Sequence, residues 1–227
     1  MTDPAEQSRY ALYYAPRADE SLARTAAQWL GRNAETGQSR ALVPVAGIAY
    51  ERLAALVADP RLYGFHGTLK APIALAEGLT ERELLDAVGR FAVNQRAITV
   101  PAMILAEISG FLALVPAAPS MELNDLADQC VVEFDEFRRP ADAAELERRR
   151  GSGLSQRQDD LLVRWGYPYV LEQWRFHLTL SGRLPDDRER RLVFGELQRR
   201  FAGEIDRPLA VRDLCIFRQA GPGRPFS

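Results

Sequence analysis

Cysteine and histidine are scarce in this chain, with two of each in 227 residues. Cys130 and Cys215 stand far apart in apolar surroundings without a neighbouring Cys or His, so a Cys-based zinc site is excluded and two buried free thiols are expected. A zinc centre built on histidine is no better supplied, because zinc takes three or four protein ligands and His-Glu-x-x-His does not occur. A carboxylate-rich magnesium site stays open. Gly-x-Ser-x-Gly is missing too, which removes the serine-hydrolase elbow. No apolar run approaches the length of a membrane span, and Met1-Thr2-Asp3-Pro4 does not open a charged-then-apolar leader, so the expected setting is the cytoplasm, away from membranes. Charge excess is missing as well. Lys plus Arg total 29 against 31 Asp plus Glu, so a net charge of -2 gives no global attraction to nucleic acid.

What is present is an alternation of strand-like and helix-like segments, the pattern of an α+β protein. Tyr10–Tyr14 reads as a strand, and Leu22, Ala26, Trp29 and Leu30 mark one helix face ending at Gly31. Residues 32–50 read as a loop. Phe65–Lys70 reads as a strand. Thr80 with Glu83 caps a helix carrying Leu84, Leu85, Val88 and Phe91, and Ile98–Val100 and Phe111–Val115 read as strands. Ser120 caps a helix burying Leu123 to Phe134. The charge-rich stretch 138–153 ends at Gly151-Ser152-Gly153; its Arg148-Arg149-Arg150 run is interleaved with Glu145 and Glu147 at the spacing of a solvated helix face. Ser155 with Gln158 caps the next helix, Gly166-Tyr167-Pro168-Tyr169 is a rigid turn, and Trp174–Ser181 is a strand. Asp186 with Glu189 starts a helix through Phe201, and one final strand runs through Val211, Leu214 and Phe217 before an irregular tail.

One internal repeat stands out. Phe65-His66-Gly67-Thr68-Leu69 and Phe176-His177-Leu178-Thr179-Leu180 agree at four of five positions and use both histidines of the chain. With seven threonines present, a Thr two places after each His arises by chance on the order of one time in a thousand. Residues i and i+2 of a strand share a face, so His66 points with Thr68 and His177 with Thr179, over an apolar backing of Phe65, Leu69, Phe176 and Leu180. If two related halves pack about a pseudo-two-fold axis, the two imidazoles flank one small group. An imidazole titrates near ~6.5, so one can take a proton while the other gives one, and threonine hydroxyls can bind the non-bridging oxygens of a phosphate.

This repeated His-x-Thr arrangement resembles the two-histidine (2H) phosphoesterase superfamily. Arg9–Pro16, Tyr63–Pro72, Gly110–Pro116, Arg164–Val170 and Arg175–Leu184 are similar to a bacterial branch encoded beside phosphonate-utilisation genes. The resemblance implies one bilobal domain over 1–227, with lobe one about 1–117 and a bridge plus lobe two about 118–227. It also implies antiparallel sheets facing a central cleft and helices outside. It further implies catalysis by His66, Thr68, His177 and Thr179 with no metal or cofactor. The activity expected from it is that of a cyclic phosphodiesterase, a hydrolase of phosphoric ester bonds acting on a cyclic ribose phosphate or nucleotide in phosphonate metabolism. A nucleotide- or RNA-end-binding module and RNA 2′,3′-cyclic phosphate processing or ligation are the competing expectations.

The strand rule ranks the neighbours. Lys70 lies two beyond Thr68 and Arg175 two before His177, so both are candidates to neutralise phosphate charge. Tyr13, Tyr63, Tyr167 and Tyr169 are candidates for substrate hydroxyl or stacking contacts, Tyr13 first. Ser181, on the side of Thr179, is a weaker candidate.

Overall fold

Three tyrosines in six residues give Arg9–Tyr14 the aromatic content that favours a pleated strand, and this segment forms β1. A computed structural model of the chain describes residues 8–151 and 153–227; the Met1–Pro4 reading and Ser152 of the 151–153 break lie outside the described residues. The elements then run α1 (Ser21–Leu30), α2 (Tyr50–Tyr63), β2 (Gly67–Ala74), α3 (Glu81–Ala92), β3 (Ile98–Val100), β4 (Met103–Ile108) and β5 (Phe111–Pro116). They continue through α4 (Met121–Glu133), α5 (Ala143–Arg150), α6 (Gln156–Trp165), β6 (Leu178–Thr179), α7 (Asp187–Arg200), β7 (Leu209–Val211) and β8 (Cys215–Gln219). The fold is therefore mixed α and β with antiparallel sheets, and the described residues hold seven α-helices.

The helix starts follow their local chemistry. Thr80 with Glu83 and Ser155 with Gln158 form complete capping boxes, while Ser120 and Asp186 each accept from the backbone N–H three residues on. Helix α2 has none of this: its N-cap is Ala49 and Pro60 sits in its last turn, so it forms because Leu53, Leu56, Val57 and Pro60 are buried.

The main sheet has the order β4-β5-β6-β2-β1-β8, and β3 pairs with β7 separately. The two motif strands, β2 and β6, are thus hydrogen-bonded neighbours at the centre of one sheet. This corrects the expectation that the motifs face each other from two sheets; they meet edge to edge. Strands from both halves of the chain interleave around them. β4 and β5 lie beyond β6, while β8 lies beyond β1.

The expected strand Trp174–Ser181 contracts to Leu178–Thr179 because other groups take its ladder positions. A 3-10 turn at Leu171–Gln173 precedes it, and the Trp174 indole N–H donates to the Thr68 carbonyl at 2.8 Å. On the far side the N–H groups of Leu180 and Ser181 both reach the Leu112 carbonyl, and the Leu180 carbonyl accepts from the Trp29 indole at 2.6 Å. The expected final strand splits at residues 212–214, since β7 belongs to the small sheet and β8 to the large one. Cys130 is buried and Cys215 half-buried, and both are free thiols.

Packing also explains the one mismatch between the motifs. A Cβ on Gly67 would lie 2.3 Å from Cε2 and 2.7 Å from Cζ of Phe176, so the aromatic ring of the second motif occupies the space a side chain would need in the first. Gly67→Ala should lower stability by about 1–3 kcal/mol, the usual cost of overpacking, read as a shift in the urea midpoint. An unchanged midpoint would show that Phe176 yields freely.

Candidate functional site

Antiparallel pairing of Gly67 with Leu178 fixes the geometry of both motifs. One residue further in each direction, the same register sets His66 across from Thr179 and Thr68 across from His177. Gly67 and Leu178 point to the packed side, so all four polar side chains emerge on the opposite face. Cross-strand neighbours in such a pair have Cβ atoms roughly 4.5–5.5 Å apart. The sheet therefore carries a diagonal arrangement of two imidazoles and two hydroxyls, each histidine beside the threonine of the other motif.

Both imidazoles are oriented by the same local device. His66 Nδ1–H donates to the Gly64 carbonyl at 2.8 Å, and His177 Nδ1–H donates to the Arg175 carbonyl at 2.8 Å, in each case two residues back. A carbonyl only accepts, so Nδ1 carries the proton and Nε2 presents a lone pair. The Thr68 hydroxyl donates to His66 Nε2 at 3.2 Å. Gly64 aims its carbonyl from φ +81 and ψ 168, a conformation reserved for glycine.

Desolvation by burial depresses both imidazoles. His66 is lowered to about 4, with the Gly64 carbonyl opposing that shift and the positive field of His177 adding to it. His177 is lowered by burial and partly restored by the Arg175 carbonyl. Both are neutral at pH 7 and ready to accept a proton at Nε2. Each also leans on an aromatic ring from the next strand outward: Tyr13 stacks on His66 with centroids 3.7 Å apart at 19°, and Phe111 lies 5.6 Å from His177.

Two cavities open on these groups. One, about 430 Å³, is lined by His66, Thr68, Thr179, Tyr13, Tyr63 and Ser181, among others. The second, about 530 Å³, is lined by His177, Thr68, Tyr169, Trp174, Arg175 and Gln158, among others. Thr68, Phe111, Tyr167 and Arg183 line both, so the cavities share a wall that crosses the motifs. Their sizes suit a small molecule.

The tyrosines expected near the site are there, in different settings. Tyr13 is buried and backs His66; Tyr63 lies 6.3 Å from the same ring and stacks on Phe226. Tyr167 sits edge-on to Tyr169 with the Arg149 guanidinium over its face. Burial raises the phenols of Tyr13 and Tyr167 above their ordinary range, so both are neutral groups. Ser181 reaches the cavity wall with its hydroxyl already engaged, accepting from the Leu112 N–H at 3.0 Å and donating to the Gly182 carbonyl at 2.8 Å. Arg175 is exposed at the rim beside His177.

Lys70 is a correction. Tyr13 pairs with Thr68 but Leu12 pairs with Lys70, and the extra residue of this β-bulge turns Lys70 to the face opposite Thr68. Its ammonium donates to the Val131 carbonyl of α4 at 2.8 Å and lies 3.8 Å from Asp135. Burial brings it down to about 8 against the opposing pull of Asp135, so it remains charged at pH 7 as a structural cation. Lys70→Met should therefore leave ligand affinity at the histidines within about twofold. A tenfold loss in a binding titration would return Lys70 to the site.

Sequence reasoning missed three arginines. Arg9 and Arg149 line the His66 cavity, and the exposed Arg183 lines both cavities. Arg9 carried a readable signal, since it shares a strand face with Tyr13 four residues on. Arg149 did not, because only tertiary packing turns one arginine of the charged helix α5 inward. Among the described residues no group of three or more His, Cys, Asp or Glu has the spacing to hold a metal ion, and no helix is long and apolar enough to cross a membrane.

Residues 68–227, well over half of the chain, match a family described as "Protein of unknown function (DUF1045)". The chain belongs to the DUF1045 family. Two curated relatives extend the match to 96% of the DUF1045 chain. A protein of Janthinobacterium sp. (strain Marseille), named ribose 1,5-bisphosphate phosphokinase PhnN, is 40% identical over 223 residues, covering 96% of this chain and 49% of its own length. A protein of the same name from Laribacter hongkongensis (strain HLHK9) is 33% identical over 218 residues, covering 96% and 50%. The chain thus spans about half the length of the curated relatives it matches. These names overturn the expectation of a cyclic phosphodiesterase: both relatives are named phosphokinases, and neither carries a hydrolase name.

Proposed function

We propose that this DUF1045 chain binds a small phosphorylated ribose in the paired cavities and performs acid–base chemistry at a phosphate ester with His66 and His177. The observation that carries the reading is the repeated His-x-Thr geometry, with both imidazoles held in the same tautomer beside two threonine hydroxyls. One neutral imidazole accepts the proton of the attacking hydroxyl while the other, as imidazolium, protonates the departing oxygen. The phosphate oxygens take hydrogen bonds from Thr68, Thr179 and Arg183. His66, held neutral far below pH 7, suits the base. The ribose phosphate in the relatives' names supplies the substrate class. A duplicated 2H architecture and a place in phosphonate breakdown belong to the same proposal. An RNA end does not, since the lining arginines border two small cavities rather than a long basic stripe.

The phosphokinase name belongs to proteins twice as long. Lys70, the only lysine here, is buried in mid-strand against Val131 and Asp135. It is therefore no candidate for the phosphate-gripping lysine of a Gly-rich P-loop.

The test follows phosphorus NMR of a panel of ribose phosphate esters incubated with the protein, with chelator present. We expect a new phosphorus resonance that requires both histidines. The pH dependence has a defined sign. The base must be neutral, so kcat/KM rises as pH climbs through about 4; the acid must be protonated, so it falls above a second value below 6.5. The expected bell is centred on the acidic side of an unperturbed imidazole pair, and the kcat profile moves to higher pH because a bound phosphate anion favours imidazolium. A kcat/KM optimum above pH 7 contradicts the depressed imidazoles. Saturable binding with an unchanged phosphorus spectrum makes the chain a binding module.

A further inference from the structure

The stretch 221–227, expected to be irregular, is folded back by a turn that its sequence encodes. Pro222 and Gly223 occupy the two central positions, Gly223 takes φ +71, and the Arg224 N–H donates to the Gly221 carbonyl at 3.1 Å. Proline first and a left-handed glycine second is the pattern of a type II turn. Beyond it the chain runs antiparallel along the edge strand β8: Arg218 and Ser227 exchange N–H···O bonds of 2.8 and 3.1 Å, and Gln219 bridges to Phe226. The Phe226 N–H donates to the Leu62 carbonyl at 2.9 Å, and the Phe226 carbonyl accepts from the buried Arg32 guanidinium. The backbone of Phe226 is thus fixed on both sides.

What this strap holds in place is one ring. Phe226 is fully buried in a small cluster with Ala11, Tyr13 and Phe217, separate from the main core. It stacks on Tyr63 with centroids 5.2 Å apart at 21° and lies 6.3 Å from Tyr13, and the Arg9 guanidinium sits over it at 5.8 Å. The strap also secures Arg9 through Gln219: Arg9 Nε–H donates to the Gln219 side-chain oxygen at 2.8 Å, and the Gln219 amide donates to the Arg224 carbonyl at 2.7 Å. Tyr13, Tyr63 and Arg9 all line the His66 cavity, whereas Phe226 lines neither cavity at the histidines. Its ring therefore acts on the site through these three side chains.

We propose that Phe226 is a positioning residue of the site: the 221–227 strap seats its ring against Tyr63, Tyr13 and Arg9 and thereby fixes the plane of the His66 imidazole. Close-packed aromatic rings support one another's orientation, so removing this one lets Tyr13 and Tyr63 tilt and admits water beside His66. The inference rests on the reading of His66 as a working imidazole, but its readout needs no turnover, so the two fail separately.

The experiment is a pH titration of the ligand-free chain by NMR, following the His66 and His177 ring protons separately. The His66 ring lies over the face of Tyr13, whose ring current moves its protons upfield. In Phe226→Ala those protons should move downfield, and His66 should titrate about half a pH unit or more above its wild-type value, because added hydration favours imidazolium. His177 should stay where it is. Phe226→Leu keeps apolar bulk without the flat face, so it should show the same signs at smaller amplitude, and it carries the test if the alanine variant does not fold. Leu84→Ala, which opens a cavity in the main core instead, should lower the urea midpoint and leave His66 unmoved. A His66 signal unchanged in both Phe226 variants, moved as far by Leu84→Ala, or matched by an equal shift at His177 overturns the positioning role. The expected His66 response in a chain that turns over no ribose phosphate would remove the phosphate-ester reading and keep Phe226 as the residue that seats His66.

Discussion

Replacing either histidine by alanine is expected to lower turnover of the responsive ribose phosphate by roughly a hundred- to ten-thousand-fold, the usual worth of one positioned acid or base. The double replacement should bring it below detection. In the proposed chemistry each imidazole contributes a proton transfer, and the neighbouring hydroxyls do not replace it: the phenols of Tyr13 and Tyr167 are held neutral by burial, and the Ser181 hydroxyl is tied to the backbone. Folding should persist in both single variants. His66 and His177 sit on the open face of the sheet, and the apolar backing of Phe65, Phe176, Leu178 and Leu180 is untouched. Rates under matched circular dichroism spectra check this, and a double variant that retains full turnover removes the histidines from the chemistry.

Tyr13→Ala is the second large effect, and it separates a ring from a hydroxyl. Tyr13 is 1% exposed, stacks on His66 and packs against Phe217. Deleting a buried aromatic ring costs about 3–5 kcal/mol, and here it also removes the wall that holds the imidazole plane. Tyr13→Phe keeps that wall. The denaturation midpoint and turnover should therefore fall sharply in Tyr13→Ala and stay near wild type in Tyr13→Phe. Equal losses in the two variants would assign the role to the phenol oxygen.

The features legible in the sequence are those set within a few residues. The two capping boxes, the Ser120 and Asp186 caps and the His-x-Thr pairs all depend on spacings of two or three positions, and each is present at its expected residues. Helix α2 was hidden because it has no capping side chain and carries a proline in its last turn. Strand β4 was within reach, since Ser109-Gly110 is a turn dipeptide and both residues adopt positive φ between β4 and β5.

The misplacement of Lys70 has a different origin. A period-of-two argument holds only while the ladder is regular, and the bulge between Tyr13 and Leu12 breaks it one residue after Thr68. No local signal in Thr68-Leu69-Lys70 announces that bulge. The edge-to-edge meeting of the motifs is likewise tertiary, arising from the pairing of Gly67 with Leu178 and the fit of Phe176 over Gly67. What lay within the motifs was readable, and how the motifs meet was not.

The central claim is that His66 and His177 act on one phosphate. It is tested most directly by following the nitrogen resonances of both imidazoles while the chain is titrated with ribose 5-phosphate. The account predicts that both imidazoles respond with one common dissociation constant, retain the proton at Nδ1, and gain proton occupancy at Nε2 as the anion binds. Different dissociation constants for the two rings, or a response from only one of them, would contradict it.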